Sequence, residues 1–100
     1  MKMYILVRDD LPPGQAIVAA AHASLACYLR FRDDPDVMRW LEGPFRKVVC
    51  KANPKEFARA KADPEAVVLT ESSLDDAEVA VALKPRAEHP RWCSFLQLYR

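Results

Sequence analysis

The apolar residues of this 100-residue chain fall into two kinds of block. Short, nearly continuous runs occur at Lys2–Val7 (KMYILV), Arg46–Lys51 (RKVVCK), Glu65–Thr70 (EAVVLT) and Glu78–Leu83 (EVAVAL). Runs of that length, rich in Val, Ile and Leu, suit strands covered on both faces. The longest block is different. Asp9 and Asp10 end the first run, Pro12 and Pro13 hold the link extended, and Gly14 allows a tight turn into a helix expected to persist to about Phe31. From Gln15 to Leu29 only Gln15, His22, Ser24 and Tyr28 can hydrogen-bond through a side chain, and six alanines lie between Ala16 and Ala26. A helix apolar around most of its girth is expected inside the fold, open only at its start.

Punctuation residues divide the rest. Asp33-Asp34-Pro35 reads as a cap followed by Pro at the first helical position, opening a short helix to Leu41 that Gly43-Pro44 stops. Asn53-Pro54-Lys55-Glu56 has the spacing of a capping box, and Asp63-Pro64 ends the helix it starts near Lys61. Eight residues, Glu71–Glu78, join the last two strands. Trp92–Tyr99 reads as a strand or single turn packed on the sheet edge. The order β-α-α-β-α-β-β predicts an α/β, three-layer sandwich with a four-stranded mixed sheet and helices on both faces. Residues 1–100 should form a single domain.

Composition narrows the class of function. A hydrophobic share of 51% is enough for a core without disulfides or metal. No segment reaches the roughly 20 apolar residues of a membrane span. Met1–Val7 runs straight into Arg8 and two aspartates, as a strand does and a signal peptide does not, so the cytoplasm is the expected compartment. Cys27, Cys50 and Cys93 have no zinc spacing and are expected to be small buried hydrophobes, so no metal is expected. Net charge is only +1, but Met38–Lys61 holds seven basic residues against two acidic ones and Ala62–Glu78 holds six acids and no base. Such blocks give a fold either a positive side able to meet phosphates or two plain solvated faces.

In an open α/β sheet ligands collect at the carboxyl ends of strands. Two such ends can be placed, Arg8–Gly14 after the first strand and Glu71–Asp76 after the third. With two glycines, the chain cannot build a phosphate loop or a dinucleotide fingerprint, so no nucleotide cofactor is expected. A serine or thiol hydrolase using Ser72, Ser73 or Cys50 lacks the G-x-S-x-G elbow.

Arg8-Asp9-Asp10-Leu11, then Gly14, then a helix with His22-Ala23 eight residues after that glycine, resembles the type II peptidyl-tRNA hydrolases. The resemblance continues through the Trp40…Gly43 turn, Lys47-Val48-Val49 in the second strand and the closing Leu98-Tyr99. It implies a cofactor-free esterase that cleaves the peptide–tRNA ester with water, with tRNA or peptidyl-tRNA as partner. The chain departs from the family pattern at chemical positions. Gln15 stands where the family has lysine, Ala19 where it has glutamine, and Glu71-Ser72-Ser73 where it has Asp-Ala-Gly-Arg-Thr-Gln. The final family helix is trimmed to His89–Cys93.

On this resemblance Glu71 takes the carboxylate role, Gln15 donates an amide N–H, and His22 matches a family position, its ordinary alternative being a buried helix histidine bonded to a carbonyl. Arg8, Lys47 and Lys51 are candidate phosphate contacts, and Asp10 and Gly14 complete the substrate-binding set. The departures support a second reading, a catalytically inactive member of the fold that binds a tRNA end, an anion or a protein. Trp92, Phe95, Leu96 and Leu98 near the trimmed terminus suggest either a homodimer or completion of the monomer core.

Overall fold

A computed structural model describes Met1–Arg100. Its centre is β1 (Met3–Arg8), which pairs in parallel with β2 (Lys47–Ala52) and antiparallel with β4 (Ala77–Leu83). The strand β3 (Ala66–Glu71) pairs antiparallel with β4, and the order across the sheet is β3-β4-β1-β2-β5. Successive β1 side chains point to opposite faces and both faces are buried. Met3, Ile5 and Val7 enter one core, and Tyr4 and Leu6 the other. Helices α1 (Pro13–Phe31) and α2 (Pro35–Glu42) cover the first face. The second is covered by α3 (Pro54–Lys61) and a 3₁₀ turn at Arg91–Phe95.

The sheet has five strands rather than four. Gln97–Leu98 forms β5, antiparallel to β2, with Leu98 opposite Cys50 and Gln97 opposite Lys51. A two-residue strand leaves no periodic run to read. It forms because the outer edge of β2 offers unpaired backbone groups to a passing tail. Within that tail Trp92 and Leu96 pack on the α3-side core, while Phe95 and Leu98 face outward.

The short helices begin where their caps predicted. Asp34 accepts from the Asp36 N–H at 2.8 Å. Asn53 and Glu56 close their reciprocal box at 2.8 and 2.9 Å, which satisfies two N–H groups that the helix itself cannot.

The long helix departs from expectation. Only Ala16, Ala19, Ala23 and Cys27 of α1 are buried, because methyl-sized side chains let one face lie close on the sheet. The other face is not covered: Ile17 is 68% exposed and Leu25 59%. No element of this chain lies over that face, so the apolar girth did not mean enclosure. His22 is likewise exposed rather than buried against a carbonyl.

At the amino end of β1 a charged network ties the layers together. Lys84, 7% exposed, reaches Asp34 at the α2 cap (2.8 Å) and Glu65 just before β3 (2.6 Å). Arg86 bonds Asp63 and Glu65, each at 2.7 Å. His89 sits between the Arg86 Nε–H, 3.3 Å from its Nδ1, and the Lys2 carbonyl, 2.7 Å from its Nε2.

Candidate active site

The opposite end of the sheet, where β1 and β3 finish, is open. The helix α1 starts there with Pro12 as its cap residue and no side chain capping it. Its first intrahelical bond runs from the Ala16 N–H to the Pro12 carbonyl at 3.0 Å. The N–H groups of Gly14 and Gln15 precede that bond and carry the partial positive charge of a helix start. Gly14 has no positive φ, and an added Cβ would meet nothing within 4 Å. The tight turn attributed to this glycine is therefore not a backbone requirement. What the missing side chain does is leave space.

That space is a cleft of about 520 Å³ lined by Leu11, Gly14, Gln15, Val18, Glu71 and Leu74, among others. Residues 56 positions apart in the chain, Gln15 and Glu71, thus share one wall-to-wall site. The carboxylate of Glu71 caps the 3₁₀ turn Ser72–Leu74, Oε1 accepting from the Ser73 N–H at 3.1 Å and from the Ser73 hydroxyl at 3.0 Å. These two bonds hold its pKa below the usual glutamate range, the backbone bond most, and the nearby charge of His22 adds to the effect. Glu71 is therefore anionic at neutral pH, with one oxygen occupied and the other without a bond to the chain. Beyond the turn, Asp75 and Asp76 adopt φ of 53° and 58°, a left-handed pair that Asp tolerates better than most residues.

Arg8 and Asp10 lie on the other side of the β1–α1 connection. The Arg8 guanidinium grips Asp10 with two bonds of 2.8 Å and reaches the Glu78 carbonyl at 3.3 Å. Mutual bonding lowers the Asp10 pKa and raises that of Arg8. The pair ties the connection to the start of β4 and rims a second cleft of about 610 Å³, floored by Ala52 and Phe57 and closed by Lys61 and Glu78. Lys51 stands further along, its ammonium 4.7 Å from the centre of the Tyr99 ring. Lys47 is set apart. It pairs with Met3 at the far end of β2, about 13 Å along the strand from Lys51, with its ammonium over the rings of Phe45 and Trp40.

The structure thus gathers Gly14, Gln15 and Glu71, puts His22 within electrostatic reach, places Arg8 and Asp10 in the adjoining cleft, and leaves Lys47 remote. Ser73, which fixes the Glu71 carboxylate, was not assigned that part by sequence reasoning. The only signal was Glu at a strand end two residues before a serine. The other nucleophile candidates do not fit. Ser73 donates its hydroxyl to Glu71 and has no histidine partner in its bonds. All three cysteines are buried, and burial pushes the Cys27 thiol up to about 12 and that of Cys50 to about 11.

An open mixed sheet, a long helix whose uncapped start faces a carboxylate at a neighbouring strand end, and no glycine-rich loop define an α/β protein with a strand-end polar site. The family model of the peptidyl-tRNA hydrolase PTH2 matches residues 1–87, and the chain belongs to that family. No curated protein matches it significantly. No helix is long and apolar enough to cross a membrane.

Proposed function

We propose that this protein hydrolyses the ester between a peptide and the terminal ribose of tRNA, in the cytoplasm where such esters arise. Family membership supports the substrate class. The observation that carries the reading is the cleft that holds Gln15 and Glu71 together at the start of α1. The free oxygen of Glu71 takes a proton from water as the water oxygen attacks the ester carbonyl carbon. The developing oxyanion is received by the Gln15 amide and the first N–H groups of α1, donors already in place. The carbonyl then reforms, the bond to the ribose oxygen breaks, and that oxygen takes the proton held by Glu71. His22 does not line the cleft and acts on the Glu71 charge only electrostatically. Gly14 leaves room for the ester, Arg8 and Lys51 meet phosphates, and Asp10 orients Arg8. Lys47 would be reached only by a more distant part of the tRNA.

A second reading, an inactive binding module, is favoured by one feature. Glu71 is spent partly on capping, its lowered pKa makes it a weak base, and Gln15 offers a neutral donor where charge-assisted bonds are about twice as strong. Turnover of a peptidyl-tRNA by the protein, by Glu71→Gln and by Gln15→Lys separates the two. The hydrolase reading expects a fall of roughly 10²-fold or more in the first variant and a gain in the second. No turnover by any of the three, with tRNA still bound, establishes the binding module instead.

A further inference from the structure

We infer that the pocket between the start of β1 and the 3₁₀ turn Arg91–Phe95 binds a small organic phosphate, at the end of the sheet remote from the Gln15–Glu71 cleft. The pocket has a volume of about 350 Å³, and Lys2, Arg86 and Arg91 line it with no Asp or Glu among them. The Arg86 guanidinium is already committed to Asp63 and Glu65, and both ring nitrogens of His89 have partners. Lys2 and Arg91 take part in none of the ion pairs of the chain. Two cations without a counter-charge therefore border one concavity, which concentrates positive potential there.

Tyr4 turns this patch into a site. The residue is only 9% exposed, and its ring is set edge-on to that of His89, with centroids 4.9 Å apart. Its hydroxyl makes no hydrogen bond within the chain, yet no sealed polar atom of the protein lacks a partner. The hydroxyl is therefore not enclosed in the core; it opens on the pocket that Tyr4 lines. Burial raises the phenol pKa, and the Cys93 and Cys50 thiols add to the effect, so the group is a neutral O–H donor. A hydroxyl held in an apolar wall without a partner costs folding energy, and a ligand oxygen would supply the missing bond.

The donor set selects the ligand. One phenol O–H and two cations, with no free carboxylate, suit a dianion carrying several oxygens rather than a cation or a neutral polar group. The Tyr4 ring, Ala87 and Pro90 add an apolar wall, which suits an organic body attached to the phosphate. A nucleic-acid strand would need cations spaced along a track, whereas these converge on one pocket. His89, Arg91 and Ser94 lie beyond residues 1–87, the span that the family model matches, so family membership does not imply this site. Nor does the inference rest on the proposed hydrolysis.

Isothermal titration calorimetry of the full chain with phenyl phosphate at low salt tests it. Binding is expected with a Kd of about 1 mM or tighter, weaker for inorganic phosphate and absent for phenol. Tyr4→Phe removes only an oxygen without a partner, so the urea midpoint should stay unchanged. The same variant should bind phenyl phosphate roughly tenfold or more weakly, the worth of one hydrogen bond to a charged group. Arg91→Ala should weaken binding to a similar degree, and added salt should weaken it in the parent protein. No binding by the parent overturns the inference. Binding that Tyr4→Phe leaves intact also overturns it, since the anion then sits elsewhere, such as the start of α1. A lowered urea midpoint in Tyr4→Phe overturns the premise that the hydroxyl is free. Equal affinity for inorganic phosphate overturns the organic ligand in favour of a bare anion seat.

Discussion

The two ends of the sheet use charge in opposite ways. At the amino end of β1, Lys84, Arg86, Asp34, Asp63 and Glu65 are bonded to one another, and His89 has a partner on each ring nitrogen. These side chains spend their bonding capacity on one another, and the ties join a cap of α2, the start of β3 and the exit of β4. At the carboxyl end Glu71 keeps one oxygen free, Gly14 and Gln15 keep their N–H groups free, and the surroundings are a cleft. Charges at the first end are consumed in holding three layers in register, and polar groups at the second remain in excess of what the fold needs. An excess of oriented polar groups is what a binding site requires. The difference teaches that shifted ionisable groups mark structure as readily as chemistry, and that unmet bonding capacity is the better guide to the site.

Removing the centre of the closed end should have the largest effect on stability. Lys84→Ala leaves Asp34 without its cation and Glu65 with Arg86 alone, and a loss of about 2 to 4 kcal/mol is expected in urea unfolding. The same measurement on Glu71→Gln should show a far smaller change, as for a surface position. Equal losses in the two variants would erase the contrast between the ends.

Titration sharpens it next. Arg86 and Lys84 hold the carboxylates of Asp63, Glu65 and Asp34 below their ordinary range, so their contribution is complete above the unfolded carboxylate values and is lost as pH falls through the folded ones. Burial lowers the His89 pKa, so the folded protein resists a proton that the unfolded chain accepts. Stability should therefore start to decline just below pH 6.5, before any carboxylate titrates. His89→Gln keeps one donor for the Lys2 carbonyl and one acceptor for Arg86, so it should abolish the early part of that decline while leaving the acid part. An unchanged profile near pH 6 would remove His89 from the network's account of acid sensitivity.

The smallest effect on folding is expected at the open end. Gly14→Ala adds a methyl that meets no atom, and should leave stability unchanged or raise it by up to about 1 kcal/mol. Turnover should fall by roughly tenfold or more if the ester occupies the space that the glycine leaves. Undiminished turnover would show that substrate does not pass over the start of α1.

Local chemistry was readable wherever the cause and the effect lie close together in the chain. Asp34 and Asn53 cap the helices they precede, since a cap acts within three residues of itself. The four periodic strands and three helices follow from side-chain spacing and from where Pro and Gly fall, and the cysteines from being small, apolar and far from any metal pattern. Glu71 and Gln15 could be named as candidates from the family resemblance, helped by their places at a strand end and a helix start.

Other features depend on atoms that the chain brings together from a distance. That the two residues face one cleft depends on β3 running parallel to β1, so that both strands end on the same side. The fifth strand depends on an edge left unpaired by β2, and the exposure of α1 on there being no further layer to lie over it. The partners of Lys84 are 50 and 19 residues away in sequence, beyond any local rule. Periodicity records which side chains avoid water in some environment. Only the assembled packing supplies that environment, and with it decides which apolar face is enclosed and which polar groups are left free to act.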